Sequence, residues 1–370
     1  MERLQIVHIV RVDYVRGHGT RSSVVNATEP EPEPKYQVHL DTRVDASQMR
    51  CREMIQHIHS RCRFTLPQRP ATHREDSYDD DSHHCGRHRF LTRFACGRRA
   101  GGALAEAHGA SLRLLHAFDV STWHSLRSVF DLHRLTTDPP PDVRMQQRLT
   151  NLAESLATQT GIEVEARFSV GDPESAINAY VTAHEPSLVV IGSRAEPAMP
   201  GLGSTASKVL RSPACPILIV RSTESRPYAK VLSAVDMLDV SMRAAFAAIT
   251  LFPAARHHLL FAVDPALERA LRMGDVTKEQ ARVLHDSMHT EAVRQLDRLV
   301  QELTKATVYP VAAEVVDDVP ARAIALRAAA LPADCVAVGH HGQGVAAGVF
   351  LGNMAQHVLH HTLRDVLAVP

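Results

Sequence analysis

Two stretches of the chain alternate short apolar, β-branched runs with segments of helical periodicity. The later stretch starts with an apolar run at 231–235, a helical pattern at 238–251 and a second run at 259–263. A long helix is predicted from Thr277, because its Thr-x-x-Gln start is typical of a capping box and apolar residues follow at helical spacing. Those apolar positions are Ala281, Leu284, Met288, Ala292, Leu296, Leu299 and Leu303. Strands that alternate with helices indicate βαβ units and a parallel sheet.

The remaining patterns complete the later stretch and repeat its order in an earlier one. Further strands are predicted at 308–316, 335–338 and 366–369, and further helices at 321–330 and 352–361. The earlier stretch has a strand at 112–117, a helix from about Asp142 and a strand at 162–170. Each stretch is therefore predicted to be a doubly wound α/β unit.

The two stretches are copies of each other. Segments that begin at Gly171 and Asp318 share the order of helix, apolar strand, glycine loop, helix and apolar strand. The matching pairs are Pro173 with Pro320 and Gly192 with Gly339, each 147 residues apart, and Gly203 with Gly352, 149 residues apart. A constant offset of this kind is the mark of an internal repeat, and one loop differs in length by two residues. The predicted fold is two doubly wound, parallel, five-stranded sheets.

Residues 1–98 lack this periodicity. They are rich in Arg, His and Cys, and they contain a Glu-Pro repeat at 29–34 and an acidic run at 79–81. Such a composition is typical of disorder or weak structure. A second explanation is a reading-frame or start-site error upstream, because an out-of-frame stretch is under no selection for a binary pattern. We predict an irregular region at 1–98, a first repeat at 99–222, a linker at 223–228 and a second repeat at 229–370.

The first repeat lacks a recognisable first strand. Alignment of Asp119 with Asp264 projects the second repeat's first strand onto 85–91, which reads Cys-Gly-Arg-His-Arg-Phe-Leu and does not suit a buried parallel strand. The strand-like run 4–12 is the alternative occupant of that position. It would then end in Asp13, as a first strand would.

Composition and charge remove several classes of protein. The chain has 41 Lys and Arg against 41 Asp and Glu, so no global field draws it to nucleic acid or to an anionic membrane. Its longest apolar run, 244–255, contains Thr250 and Pro253 and is too short for a membrane span. No secretory signal is recognisable at the start, because Arg11 and Asp13 break the apolar stretch there. We expect a cytoplasmic protein.

The cysteines favour reduced thiols. The chain has six, without a close Cys-x-x-Cys pair. Four of them share residues 51–96 with six histidines, but the spacings match no tetrahedral zinc pattern. We predict no metal site.

A glycine pattern follows the fourth strand of the second repeat. Gly339 and Gly342 are followed by a nine-residue stretch, 343–351, and then by Gly352 and Asn353. Glycines let backbone N–H groups approach phosphate oxygens, and a helix N-terminus favours anions. In a doubly wound sheet the loops after the first and fourth strands face a common crevice, so Asp236 is expected opposite the glycines.

These residues resemble the universal stress protein family in its tandem form, with the first domain incomplete. The likeness covers roughly residues 100–370, and its most specific part is the Gly-x-x-Gly, nine, Gly-Ser/Thr nucleotide motif, in which Asn353 replaces the hydroxyl residue. The resemblance implies a Rossmann-like fold of the adenine nucleotide alpha hydrolase type. It also implies that Val263 contacts the base and that Asp236 accepts from the ribose or the adenine edge. The implied binding residues are Ala234, Val235, Asp236, Val263, Val338, Gly339, Gly342, Gly352, Asn353 and Met354.

Each of these residues also has a purely structural interpretation. Asp236 could cap the turn that follows its strand, and Asn353 could be a helix N-cap. His340 and His341 lie where phosphates would be, but an exposed loop histidine without a role is the more common case. In the first repeat Ser193-Arg-Ala195 replaces the second glycine and two prolines stiffen the loop, so nucleotide binding there is not expected.

Three functions remain open at this stage. The first is a stress-response protein whose second domain binds ATP, ADP or AMP as a regulatory ligand and is not an enzyme, beyond a weak incidental ATPase. The second is an interaction or dimerisation scaffold that binds no nucleotide. The third is a slow nucleotide hydrolase. The expected partners are the adenine nucleotide and the other repeat of the same chain. The family resemblance also implies a homodimer through the last strand of each domain.

Overall fold

The computed structural model describes most of both repeats and one short segment near the N-terminus. The described residues are 6–11, 92–118, 140–193, 202–211, 213–222, 227–265, 277–340 and 353–370. The strands are β1 Ile6–Arg11, β2 Ser111–Phe118, β3 Val164–Val170, β4 Leu188–Gly192, β5 Ile217–Val220, β6 Lys230–Val235, β7 Arg256–Val263, β8 Ala312–Asp317, β9 Cys335–Gly339 and β10 Asp365–Val369. The helices are α1 Thr92–Ala107, α2 Pro141–Thr160, α3 Pro173–His184, α4 Ser204–Val209, α5 Asp239–Leu251, α6 Lys278–Thr304, α7 Pro320–Ala330 and α8 Asn353–His361.

The described strands form a single ten-stranded sheet. Its order is β3-β2-β1-β4-β5-β10-β9-β6-β7-β8. The second repeat supplies five neighbouring strands in the doubly wound order 3-2-1-4-5, and four strands of the first repeat form the same order together with β1 from the N-terminal region. All of the pairs within the second repeat are parallel. The predicted α/β fold class is confirmed, and the two five-stranded sets are continuous with each other.

The last strands of the repeats join the two sets. β5 and β10 pair antiparallel, with Leu218 opposite Leu367. Both strands are fully buried, as expected for strands covered on both faces. The predicted packing of one repeat on the other thus takes place through the edge strands, within one chain.

The position of the missing first strand is filled by β1, but in reverse. β1 lies between β2 and β4 and pairs antiparallel with both, whereas β6 is parallel to both of its neighbours. Ile6 lies opposite His116, near the end of β2, and Arg11 lies opposite Ser111, the first residue of β2. We predicted that the run 4–12 would end at the same edge of the sheet as a parallel first strand. That prediction is wrong, because the carboxyl end of β1 lies at the opposite edge. Asp13 and residues 85–91 lie outside the described residues.

The core continues across the junction on both faces of the sheet. Alternation along β5 sends Ile217 and Ile219 to one face and Leu218 and Val220 to the other. The first face is covered by α3 and α4 of the first repeat together with α7 and α8 of the second. The second face is covered by α1 and α2 together with α5. The two repeats therefore share their hydrophobic cores.

Helix α6 begins with the predicted capping box. Thr277 Oγ1 accepts from Gln280 N–H at 3.2 Å, and Gln280 Oε1 accepts from Thr277 N–H at 2.9 Å. The predicted apolar stripe is buried at Ala281 and over the second half of the helix. Leu284 and Met288 are exposed instead, because the described residues provide no cover for this part of α6.

Two further expectations are partly addressed by the described residues. In the described part of the chain, helices with the length and apolar character of a membrane span do not occur. Cys215 and Cys335 are buried free thiols. The other four cysteines and the histidines around them lie outside the described residues or have undescribed side chains.

A buried carboxylate ties the end of the first repeat to the start of β10. Asp365 Oδ1 accepts from the N–H groups of Arg221 and Ser222 at 2.7 and 2.9 Å, and Asp365 Oδ2 accepts from the Tyr228 hydroxyl at 2.7 Å. The Arg221 guanidinium in turn donates to the carbonyl of Thr362 at 3.0 Å and to that of Leu359. Asp365 thus satisfies three donors that the junction partly buries.

We expect Asp365→Ala to lower the free energy of unfolding by about 3 kcal/mol, because it leaves buried donors without an acceptor. Tyr228→Phe removes one donor and should cost about 1 kcal/mol. Urea unfolding followed by circular dichroism measures both changes. Equal losses for the two variants would contradict this account of the junction.

The same carboxylate predicts a pH dependence. Burial raises the pKa of Asp365 above its usual 3.8, although the hydrogen bonds from Arg221, Ser222 and Tyr228 act in the opposite direction. A raised pKa means that the folded state binds the proton more tightly, so this group's contribution to stability falls as pH rises above 3.8. Asp365→Asn keeps an acceptor for the two N–H groups and removes the titration. The stability of Asp365→Asn relative to the original chain should therefore increase from about pH 4 towards neutral pH. A difference that is independent of pH would be evidence against the raised pKa.

Candidate functional site

The predicted site lies at the carboxyl ends of three neighbouring parallel strands. β6 lies between β9 and β7, with Ser233 opposite Ala337 and Val235 opposite Phe261. The chain passes from β6 to β7 on one side, while β9 lies on the other side. This is the point at which the strand order reverses and where a doubly wound sheet opens a crevice.

The Asp236 turn is held by its own hydrogen bonds. Asp236 N–H donates to Ser241 Oγ at 3.1 Å, and the Ser241 hydroxyl donates to the carbonyl of Leu238 at 3.0 Å. Asp236 Oδ1 accepts from Leu238 N–H at 3.0 Å, and Met237 between them has a φ of 61°, in the left-handed region. Asp236 therefore does cap the turn after its strand, as its structural interpretation suggests. Its side chain is nevertheless exposed, so the carboxylate is accessible to a ligand.

Gly339 is required by packing at the end of β9. A Cβ at this position would lie 2.8 Å from Val240 Cγ1 and 3.0 Å from both the Val240 carbonyl carbon and the Ser241 nitrogen. The space that a side chain would need is therefore occupied by the first turn of α5. The first glycine of the motif brings β9 and α5 together, whether or not it also approaches a ligand.

The apolar members of the predicted site lie beneath this edge. Val235, Val263 and Val338 are buried in the strands, and Ala234 is half-buried. The Cα of Val263 is in register with that of Asp317, the last residue of β8. The side chains of these valines pack in the core, so a ligand at the edge would meet them mainly through their backbone.

The structure brings together only part of the predicted set. Ala234, Asp236, Val263 and Gly339 lie at the ends of adjacent strands. Asn353 is the first residue of α8 and Met354 the second, but their side chains are not among those described. Gly342 and Gly352 lie outside the described residues. The binding assignment of all ten residues stays a prediction.

His340 departs from its expected position in an exposed loop. Its side chain is completely buried, and its Nε2 is hydrogen-bonded to the carbonyl of Leu210, in the first repeat. The sequence has no signal for this contact, since it depends on how the two repeats meet. His341 lies outside the described residues.

At the corresponding edge of the first repeat, the first strand does not contribute its carboxyl end. β4 ends at Gly192, the counterpart of Gly339, but its neighbour β1 runs in the opposite direction and presents its first residue, Ile6, at that edge. An aspartate that follows a parallel first strand therefore has no counterpart there. That the first repeat binds no nucleotide stays a prediction.

At the carboxyl edge of the second repeat, the exposed Asp236 carboxylate suits a nucleoside, whereas the described side chains do not form a metal-binding group. An exposed carboxylate is an acceptor suited to ribose hydroxyls or an exocyclic amine. Within the described part of the chain, no group of three or more His, Cys, Asp or Glu is placed to hold a metal ion. The site is therefore described as a candidate nucleotide crevice.

Comparison with known proteins gives a family match in both repeats. The model of the universal stress protein family matches residues 98–221 and 227–370. The universal stress protein Rv2005c of Mycobacterium tuberculosis (strain ATCC 25618 / H37Rv) is 31% identical over 187 residues, which are 48% of this chain. The matched segment spans 60% of the length of that relative.

Two solved structures of universal stress proteins are also similar. One from Archaeoglobus fulgidus DSM 4304 is 19% identical with a TM-score of 0.44, and the match covers 62% of this chain and 80% of the other. A universal stress protein in complex with cAMP is 25% identical with a TM-score of 0.30, and the match covers 39% of this chain and 99% of the other.

We expect Gly339→Ala to lower the free energy of unfolding by about 1–3 kcal/mol without any nucleotide present, because the new Cβ overlaps the first turn of α5. Gly102→Ala in α1 is the matched control. Its Cβ would meet only Thr160 Cγ2, at an ordinary 3.8 Å, so it should stabilise the chain by about 0.5–1 kcal/mol. Thermal or urea unfolding checks both, and an unchanged stability for Gly339→Ala would refute the packing role.

Proposed function

The chain belongs to the universal stress protein family, and from that premise we propose that its second repeat binds an adenine nucleotide as a regulatory ligand. ATP, ADP and AMP are the candidate ligands. The bound nucleotide acts as a signal in a stress response in the cytoplasm. The first repeat is a structural partner that binds no nucleotide.

The observation that carries this proposal is the placement of Asp236 beside Gly339. Asp236 follows β6, and Gly339 is the last residue of β9, its parallel neighbour, at the reversal of strand order. They come from the two loops that the family motif uses, one for the nucleoside and one for the phosphates. The exposed carboxylate and the glycine-bounded strand end are supplied by segments about 100 residues apart in the chain, so their proximity is a property of the fold.

The chemistry of this edge suits a nucleotide in two ways. The Asp236 carboxylate is exposed and already fixed by its bond to Leu238 N–H, so it is oriented before a ligand arrives. Helix α8 is nine residues long and begins at Asn353, and unpaired N–H groups at a helix start favour phosphate oxygens. The motif glycines Gly342 and Gly352 would add backbone donors from the intervening segment.

A regulatory role is proposed in preference to catalysis. No nucleophile, acid–base pair or magnesium-ligand set is recognisable in the sequence around the motif. The Oδ1 of Asp236 already accepts from the backbone. Any hydrolysis is expected to be slow and incidental to binding.

Isothermal titration calorimetry of the full chain with ATP, ADP and AMP measures the binding affinities that test the proposal. We expect Asp236→Ala to weaken ATP binding by at least ~tenfold, since it removes a charged acceptor from the site. Asp236→Asn keeps the oxygen that accepts from Leu238 N–H, so it separates loss of charge from loss of the turn. Asp239→Ala removes an exposed carboxylate from the first turn of α5 and should bind ATP normally. Gly342→Val is expected to abolish ATP binding, because its side chain would keep the backbone N–H groups away from the phosphate oxygens.

Two results would replace the proposal by another function. Absence of binding at millimolar nucleotide, or unchanged binding by Asp236→Ala and Gly342→Val, would favour a scaffold that binds no nucleotide. Multiple-turnover release of phosphate or pyrophosphate that Asp236→Ala abolishes would favour a hydrolase.

A further inference from the structure

His340 links the predicted nucleotide edge of the second repeat to the first repeat. Its backbone N–H donates to the carbonyl of Val369 at 2.7 Å, which extends the ladder between β9 and β10 by one residue. Its imidazole Nε2 is hydrogen-bonded to the carbonyl of Leu210. Because a carbonyl can only accept, Nε2 carries the hydrogen in this contact. The histidine is therefore held from both its backbone and its side chain.

The acceptor is the end of a helix in the other repeat. Leu210 is the C-cap of α4, and carbonyls in the last turn of a helix have no partner within the helix. A side-chain donor at this end is favourable both for the hydrogen bond and for the helix dipole. The contact is completely buried on the histidine side, so water does not compete for it.

The other repeat shows that the contact is specific to His340. Its counterpart is Ser193, whose N–H makes the equivalent ladder bond to the carbonyl of Val220 at 2.8 Å. The backbone geometry is thus common to both repeats, while the long donor side chain is present in one. Leu359, the counterpart of Leu210, accepts from Arg221 instead.

A short series of contacts leads from His340 to Asp236. Gly339, the preceding residue, packs directly against Val240 and Ser241 in the first turn of α5. Ser241 Oγ accepts from the N–H of Asp236. A displacement of the end of β9 would therefore move the turn that carries the exposed carboxylate.

We propose that His340 is a positioning residue through which the first repeat sets the nucleotide affinity of the second. This inference rests on the proposed function, since it concerns the same edge of the sheet. The bond to Leu210 fixes the end of β9 against α5, so the ligand meets a site that is already ordered. By linkage, bound nucleotide must strengthen the same contact, and α4 of the first repeat therefore responds to the ligand.

Nucleotide titrations of His340 variants test the proposal in the full chain. His340→Ser installs the residue of the first repeat and removes the contact, and we expect ~tenfold weaker ATP binding. His340→Gln retains an N–H donor at a similar reach and should restore affinity to within about threefold of the original chain. Tyr228→Phe is the control for stability, because it removes a hydrogen bond at the other end of the β5–β10 pair. It should leave ATP affinity unchanged.

Hydrogen exchange distinguishes a positioning role from a purely structural one. If His340 were only structural, its substitution would not change the effect of ATP on amide exchange in the first repeat. In the original chain, ATP should slow amide exchange at residues 205–211, around the end of α4, and in His340→Ser this slowing should be lost. Equal ATP affinity in the original chain and a folded His340→Ser variant, or ATP binding without any change at 205–211, would overturn the positioning role. Absence of ATP binding by the original chain would instead contradict the proposed function, so the two failures are distinguishable.

Discussion

The antiparallel pairing of β5 with β10 is the constraint on which the rest of the structure depends. It turns two five-stranded sets into one ten-stranded sheet and lets the hydrophobic core continue across both faces. Because the two strands run in opposite directions, the start of β5 lies at the edge where β9 and β10 end. The end of β5 lies where β10 begins. Each repeat therefore presents polar groups to a helix end of the other, with His340 at Leu210 and Arg221 at Leu359.

This arrangement explains how one repeat can support a site in the other. The outer edge of β10 is paired with β5 of the same chain. The first repeat therefore supports the candidate site of the second repeat from the side. The first repeat has β1 reversed in the central position, so its first strand does not place a counterpart of Asp236 at that edge. The proposed division of roles between the copies, one for binding and one for support, rests on this difference in strand direction.

Most of the fold could be predicted from the sequence, because buried parallel strands and amphipathic helices leave strong periodic patterns. The repeat offset and the capping box at Thr277 are local features of this kind. The direction of β1 could not be predicted, since a six-residue strand with four apolar residues suits either direction in a sheet. The burial of His340 could not be predicted either, because its partner Leu210 lies 130 residues away and meets it only through the β5–β10 junction. For the candidate site, the pattern placed Asp236 and Gly339 together, but it could not show that α5 occupies the space beside Gly339.

We propose a single nucleotide site, at the carboxyl ends of β6 and β9, which the first repeat supports without binding nucleotide itself. A crystal structure of the full chain grown with ATP is the decisive test. We expect one nucleotide per chain, with its ribose or adenine edge at Asp236, its base near Val263 and the Leu210–His340 contact in place. A nucleotide bound at the edge of the first repeat, or one in the second repeat that leaves Asp236 without a contact, would contradict it.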